Sequence, residues 1–327
     1  MPLPTKPTLN LSSSHLFDAL IIGAGPAGLS AALALCRMKR TSVVFSTDTF
    51  RNDAAHRAHT VLSRDHQPPS EIRRIGREQI EAYGTTAFEE RAVLKARKTE
   101  VGFEVEDETG EVWKGRKVVL AMGARDVLPT EQDLEGYAEC WGQSIYQCLF
   151  CDGLERSEKP AGMLGWGGMS SHILGLLSLL GVPKITILGN GPLNLEDENQ
   201  RKALEVTKAR GTVVDKRRIR RLVHLPDEEG IEIQFEDGES ERVGFLQHSP
   251  PTEVVGANLA RDLGVEVLDD GRGGTQLKRN EPFGETNING VFAAGDAGTL
   301  LKQVTIAMQQ GTGAGAAIAM QLGQQVE

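Results

Sequence analysis

Cysteine is scarce, four in 327 residues, which is too few for the disulfide framework of a secreted scaffold, so the chain reads as intracellular. Basic charge is short as well. Thirty-six Lys and Arg stand against 45 Asp and Glu, a formal net charge of −9, and that balance repels phosphate backbones and anionic membrane surfaces. General nucleic-acid binding is thereby excluded. Residues 1–15 hold three prolines and a serine run but no apolar h-region, so they read as a flexible lead-in and not as a signal peptide. The most apolar stretch, residues 164–182, contains His172, several serines and five glycines, which makes it a poor membrane span. These absences leave a soluble, cytoplasmic protein. Its length predicts about two domains. Glycine is in excess, with 37 residues and no collagen-like period to absorb them, so glycines are expected at particular backbone positions.

The run Phe17-Asp-Ala-Leu-Ile-Ile22 has strand length and is followed at once by Gly23-Ala-Gly25-Pro26-Ala27-Gly28. An Ala- and Leu-rich helical pattern then covers residues 29–38, and Thr41-Ser-Val-Val-Phe45 closes a strand, glycine turn, helix, strand unit. That context gives the G-x-G-x-x-G its meaning. Gly23 makes the tight turn, Gly25 lets backbone N–H groups approach a pyrophosphate, and Gly28 lets helix and strand pack closely. One departure stands at the end of the second strand, where an acidic ribose ligand is usual and the sequence reads Phe45-Ser46-Thr47-Asp48. Ser46 or Asp48 substitutes there. Alternating residues over 103–107 and 111–120 predict a hairpin leading into a strand over 118–123 that ends this lobe.

A second unit of the same kind follows, with Ala161-Gly-Met-Leu164, a glycine turn over 165–168, an apolar helix over 170–180 and a strand over 184–188. Its specificity element is missing. An NADP site needs arginines after that strand, yet Glu196-Asp197-Glu198 follow it, and acidic groups repel a 2′-phosphate. The unit is either a degenerate, structural one or retains NADPH use. After the composition shift at 246–251 come Gly290-Val-Phe-Ala-Ala-Gly295-Asp296 and a glycine-rich helix to about residue 322, whose small residues serve close helix packing, approach of its N-terminal amides to a ligand, or both. The predicted fold class is α/β, with two Rossmann-like dinucleotide-binding domains. Residues 1–125 and 246–327 form one, split by the other, residues 126–245.

Cys148-Leu-Phe-Cys151-Asp152-Gly153 carries the chemistry, because two thiols at this spacing can close a small ring and exchange with another disulfide. Structural zinc needs a second ligand pair. Only Cys36 and Cys140 remain, neither at ligand spacing, and both read as packed cysteines. No metal is expected. Asp152 either moves the proton that the exchange requires or is a turn residue before Gly153. The basic run 216–221 reads as a solvated strand edge, and Trp141 and Trp166 as core, although Trp166 would crowd a pyrophosphate in the second glycine turn.

Together, G-A-G-P-A-G, C-x-x-C-D-G and a late A-A-G-D before a glycine-rich helix resemble the low-molecular-weight thioredoxin reductase family from Phe17 to about Leu322. That resemblance implies a homodimeric flavoprotein whose split domain binds FAD and passes electrons to or from the cysteine pair. It implies that FAD is held by Gly23, Gly25, Pro26, Ala27, Gly28, Ser46, Arg51, Asn52, His59, Gly123, Gly295, Asp296, Lys302, Gln303 and Val304. Asp296 would bind the ribityl chain, with Cys151 nearest the flavin and Cys148 meeting the substrate. His59-Thr-Val-Leu-Ser-Arg-Asp65-His66, Glu139-Cys-Trp-Gly-Gln-Ser-Ile-Tyr146-Gln147-Cys148 and Gly295-Asp-Ala-Gly-Thr-Leu-Leu-Lys302 are similar to the fungal branch typified by gliotoxin oxidase. For that branch the implied reaction is oxidation of a small-molecule dithiol of the diketopiperazine class to a bridging disulfide, with O2 converted to H2O2. An NADPH-dependent reductase of thioredoxin or a small disulfide is the alternative. The third reading is a non-catalytic flavin-binding redox sensor. The branch often has a histidine before the first cysteine. Here Gln147 stands in that place, and glutamine cannot accept a proton, so Asp152, a nearby histidine such as His66, or water takes it. Gln147 is then expected to orient the substrate, with Tyr146 and Phe150 flanking its ring.

Overall fold

Strand, glycine turn, helix, strand is also the order in which the described chain begins. The computed structural model describes residues 11–226 and 230–324, so most of the expected lead-in, residues 1–10, lies outside the described residues. β1 (Leu16–Ile22) runs into the glycine turn, α1 (Pro26–Arg37) returns across the sheet, and β2 (Ser42–Phe45) pairs parallel to β1 with Phe45 opposite Ile22. Both strands are apolar on both faces, as a covered parallel sheet requires. All four residues of β2 are buried.

α2 (Pro69–Glu81) leads to β3 (Thr86–Glu89), parallel to β2. β4 (Val93–Thr99), β5 (Gly102–Asp107) and β6 (Val112–Leu120) then form an antiparallel meander, giving the sheet order β3-β2-β1-β6-β5-β4. The expected hairpin strand and the strand after it are one element. The first half of β6 pairs with β5, and its last three residues pair with the parallel strand Val291–Ala293. The turn after β6 does not end the unit either, since Ala124–Asp126 pairs antiparallel with Thr252–Val254.

The C-terminal helix Val304–Gly323 lies along α1. Its glycines make that possible: a Cβ at Gly311 would stand 1.9 Å from the Ala27 carbonyl oxygen, and one at Gly315 would stand 2.6 Å from that of Ala31. The backbones touch where other helices interpose side chains.

The chain divides into two compact units. One takes the described residues up to Asp53, Gln67–Asp126, and those from Pro251 onward; the other takes Ala54–His66 and Val127–Pro250. The second is built on a parallel sheet of β7 (Ala161–Leu164), β8 (Ile185–Leu188) and β9 (Val213–Asp215), with α3 (Ser170–Leu179) and α4 (Glu198–Ala209). Phe245–Gln247 and Ile145–Tyr146 complete the order on the other side of β7. A three-stranded antiparallel sheet follows. Its edge strand, Ile219–Leu225, carries the end of the basic run, with Arg220 and Arg221 exposed, while Arg217 pairs with Asp215 at 2.6 Å and lies over the Phe235 ring.

Candidate active site

In the first unit the carboxyl ends of four parallel strands are in register: Ile22 is opposite both Phe45 and Leu120, and Leu120 is opposite Ala293. Ligands of open α/β sheets bind outside such ends. Gly23 follows Ile22 at φ +110, and a Cβ there would stand 2.2 Å from the Ala121 carbonyl oxygen; at Gly28 it would stand 1.8 Å from that of Gly23. Both positions are closed by packing. Gly25 differs, because the nearest atom to a Cβ there, on the Phe50 ring, is 4.0 Å away. Its outer face is open, and Pro26 and Ala27 begin α1 with no side chain capping the first-turn amides. An uncapped helix start behind an open glycine is what a pyrophosphate needs.

The loops after the other strands bring polar groups to the same edge. Ser46 follows β2 and accepts the Asp48 amide at 3.1 Å, while Asp48 itself is exposed. Gly123, after β6, sits at φ +75 with open space where a Cβ would be. Arg51 makes two hydrogen bonds to Asp126, at 2.6 and 3.0 Å, and one to Asp296 at 3.2 Å. Asp296 lies in the turn after Val291–Ala293, where burial pushes its carboxyl up against the opposing pull of Arg51 and Lys302. Burial pushes the Lys302 ammonium down, and its Nζ donates to the Thr299 carbonyl at 2.8 Å. Gly295 donates its amide to buried Gln310, Asn52 accepts from Arg73, and Gln303 and Val304 open the long C-terminal helix without a side-chain cap. An open glycine, two uncapped helix starts and a charged Arg–Asp pair form a donor set that fits a flavin dinucleotide. Asp126 is part of this set and has no sequence signature of its own.

His59 belongs to the second unit, with the cysteine pair. Cys148 and Cys151 form a disulfide across the start of the short helix Leu149–Asp152, and the Cys148 carbonyl accepts the amides of both Cys151 and Asp152 at 3.2 Å. Gly153 closes this turn against Leu149 and Leu180, whose atoms stand 2.6 and 2.8 Å from where its Cβ would be. Asp152 is mostly buried, and that desolvation pushes its carboxyl up to about 6 against the opposing influence of His59. His59 contributes more than charge: its Nδ1 hydrogen-bonds the Cys151 carbonyl oxygen. The carbonyl of Gln147 accepts from the Gln247 side chain at 3.2 Å. Beside Gln247, His248 is half-buried, held at 2.6 Å by the Tyr137 hydroxyl, and desolvation pushes it down to about 4.

Of the two expected flanking rings, Phe150 is 61% exposed but Tyr146 is only 7% exposed. Tyr146 is a core residue, its ring packed with Phe245 and its hydroxyl donating to the Gln143 carbonyl. The other two cysteines are buried. Burial pushes the Cys140 thiol up to about 11, and Cys36 lies against the Thr85 and Thr86 hydroxyls.

The second glycine turn keeps its shape. Gly165 has φ +80 and open space, and the Ser170 hydroxyl accepts the Gly167 amide. After β8, however, Asp197 caps α4 by accepting two of its amides, and Glu196 and Glu198 are exposed. Trp166 is half-buried against the second unit's core.

A family model described as pyridine nucleotide-disulphide oxidoreductase matches residues 17–311. The chain is 40% identical over 320 residues to the thioredoxin reductase sirT of Leptosphaeria maculans, covering 94% of each chain. It is 38% identical over 324 residues to the thioredoxin reductase tcpT of Claviceps purpurea, covering 95% of this chain and 96% of the relative. Among solved structures, the oxidoreductase from Agrobacterium tumefaciens is 29% identical with a TM-score of 0.85, covering 95% of this chain and 99% of that one.

Proposed function

Since the chain belongs to the pyridine nucleotide-disulphide oxidoreductase family, as a thioredoxin reductase-like FAD flavoprotein, we propose that it is a dithiol oxidase. Its substrate would be a small-molecule dithiol of the diketopiperazine class, closed to a bridging disulfide with O2 as the final acceptor. The observation that carries this reading is the Cys148–Cys151 disulfide beside half-buried Asp152, whose carboxyl desolvation pushes up to about 6. The direction rests on the acidic run Glu196–Glu198, which disfavours the 2′-phosphate of NADPH. The substrate class rests on the motif resemblance to the fungal branch, the same resemblance implies a homodimer, and the scarcity of cysteine suits a cytoplasmic location.

In this mechanism a substrate thiolate attacks Sγ of Cys148, the enzyme S–S bond breaks, and Cys151 leaves as a thiolate. The second substrate thiol loses its proton to the Asp152 carboxylate. The resulting thiolate attacks the substrate sulfur of the mixed disulfide, the product disulfide forms, and Cys148 is released. Two electrons pass from substrate to the cysteine pair; the first substrate thiol gives its proton to solvent before attack, the second gives its proton to Asp152, and both cysteines are left as thiolates. Gln147, unable to take a proton, orients the substrate, and exposed Phe150 offers it an apolar face. Gly23, Gly25, Pro26, Ala27, Gly28, Ser46, Arg51, Asn52, His59, Gly123, Gly295, Asp296, Lys302, Gln303 and Val304 would hold FAD, which would supply the two-electron acceptor for the reduced pair and the route to O2, with H2O2 as the product.

The name thioredoxin reductase on the relatives favours a second reading, an NADPH-dependent disulfide reductase. One experiment separates the two: the visible absorbance of the yellow protein is followed without oxygen after excess NADPH, and separately after a small dithiol. Bleaching by the dithiol alone, with colour and peroxide returning in air, supports the oxidase. Bleaching by NADPH overturns it.

A further inference from the structure

Arg73, on α2, is engaged on three sides by one turn of the chain. Its guanidinium lies 3.8 Å from the centroid of the Phe50 ring, Nη1 donates to Asn52 Oδ1 at 3.2 Å, and Nη2 donates to Asp53 Oδ1 at 2.7 Å. Asp53 closes the turn from within. Its other carboxylate oxygen accepts the Phe50 amide at 2.7 Å, and its own amide donates to the Phe50 carbonyl at 3.1 Å. The first, third and fourth side chains of a four-residue turn therefore all meet one arginine. A planar fork laid over an aromatic face is what arginine offers and lysine does not. The Arg73 side chain is 14% exposed, so water competes weakly for these contacts. Arg74, next on the helix, is 54% exposed and pairs with Glu71 and Glu78 of α2 itself.

The turn that Arg73 holds lies on the ligand-binding edge. Its second residue, Arg51, bridges Asp126 and Asp296, and the Phe50 ring borders the open face of Gly25, 4.0 Å from where a Cβ would stand. A ligand laid across Gly25 therefore meets Phe50. All of these residues belong to the first unit. Helix α2 is itself fixed beside α1, with a Leu29 methyl 3.4 Å from where a Cβ of Gly76 would be, so Arg73 projects from a packed support.

We propose that Phe50 is a wall of the flavin-dinucleotide crevice and that Arg73 is its positioning residue, so that Arg73 sets how fast FAD leaves. Arg73 need not touch the cofactor. With fork and stack in place the turn stays closed and Phe50 stays beside Gly25; without them the turn is free to swing outward and take its ring off the crevice.

The test measures FAD release from the FAD-loaded protein, followed as the rise in free-flavin fluorescence after dilution. Arg73→Lys, Phe50→Leu, their double variant and Asp53→Asn are compared with the parent, and circular dichroism verifies the fold. Arg73→Lys keeps the charge and loses the fork, and should release FAD at least about tenfold faster, with Phe50→Leu close to it. Two residues that act as one unit are not additive, so the double variant should be within about threefold of Phe50→Leu. Asp53→Asn loosens the same clasp from an exposed position and should also speed release, which keeps the test decisive if Arg73→Lys fails to fold. Parent-like release in Phe50→Leu overturns the proposal, as does parent-like release in Arg73→Lys with a lowered unfolding temperature, the mark of a merely structural arginine. A double variant in which the two effects multiply overturns it as well. None of these readings depends on turnover.

Discussion

Asp152→Asn should slow the enzyme and stabilise it. The carboxyl is pushed from 3.8 up to about 6 by burial, so between those values the folded protein binds more protons at this site than the unfolded chain. Stability follows the difference in bound protons, unfolded minus folded, and a negative difference means that stability falls as pH rises. At about 1.4 kcal/mol per pKa unit, the full penalty above pH 6 is about 3 kcal/mol. Asparagine keeps the shape without the charge, so the variant should gain up to about 3 kcal/mol over the parent at pH 8 and almost nothing at pH 4. Denaturant unfolding of both proteins across that range measures the difference directly.

Subtraction matters, because half-buried His248, pushed down to about 4 by desolvation, acts with the opposite sign in the same window and cancels between the two proteins. Turnover should move the other way. Removing a general base typically costs about 100-fold or more, and anaerobic reduction by a dithiol should lose the limb that rises through about pH 6 in the parent. An Asp152→Asn protein less stable than the parent at pH 8, or a pH profile that keeps its limb, would refute the argument.

The other expectations rest on different residues. Gly25→Ala and Gly28→Ala should part company: the first has open space and should fold with reduced flavin content, while the second puts a Cβ 1.8 Å from the Gly23 carbonyl oxygen and should fail to accumulate as folded protein, as flavin absorbance and circular dichroism will tell. Cys148→Ser should retain its colour yet lose dithiol turnover altogether, since the sulfur under attack is gone. For His248, the folded value near 4 lies below the ordinary 6.5, so its share of stability is present above pH 6.5 and lost on descent to pH 4. That share is about 3 kcal/mol, and unfolding of His248→Gln should show a correspondingly flatter acid limb.

Much of the first unit was legible as pattern. A short apolar run, glycines three and five positions apart and a helix rich in alanine describe local events, and β1, the turn and α1 form where those patterns lie. The packing glycines of the last helix were legible as composition, although only the contacts with Ala27 and Ala31 decide what Gly311 and Gly315 are for. Residues 54–66 were opaque. They lie between elements of one unit and pack with the other, so no periodicity within them could bring His59 to the Cys151 carbonyl 92 residues away.

Tyr146 shows the same limit, because a two-residue strand has too little alternation to say which way its ring turns. The sequence by itself determined the nucleotide turn, the thiol pair and the acidic replacement after β8, since each is carried by neighbours in the chain. Only the tertiary structure decided that desolvation pushes the Asp152 carboxyl up to about 6, that Arg51 bridges Asp126 and Asp296, and that two histidines and a glutamate meet near the disulfide. Desolvation and charge pairing depend on which distant residues displace water, and that is settled when the chain packs.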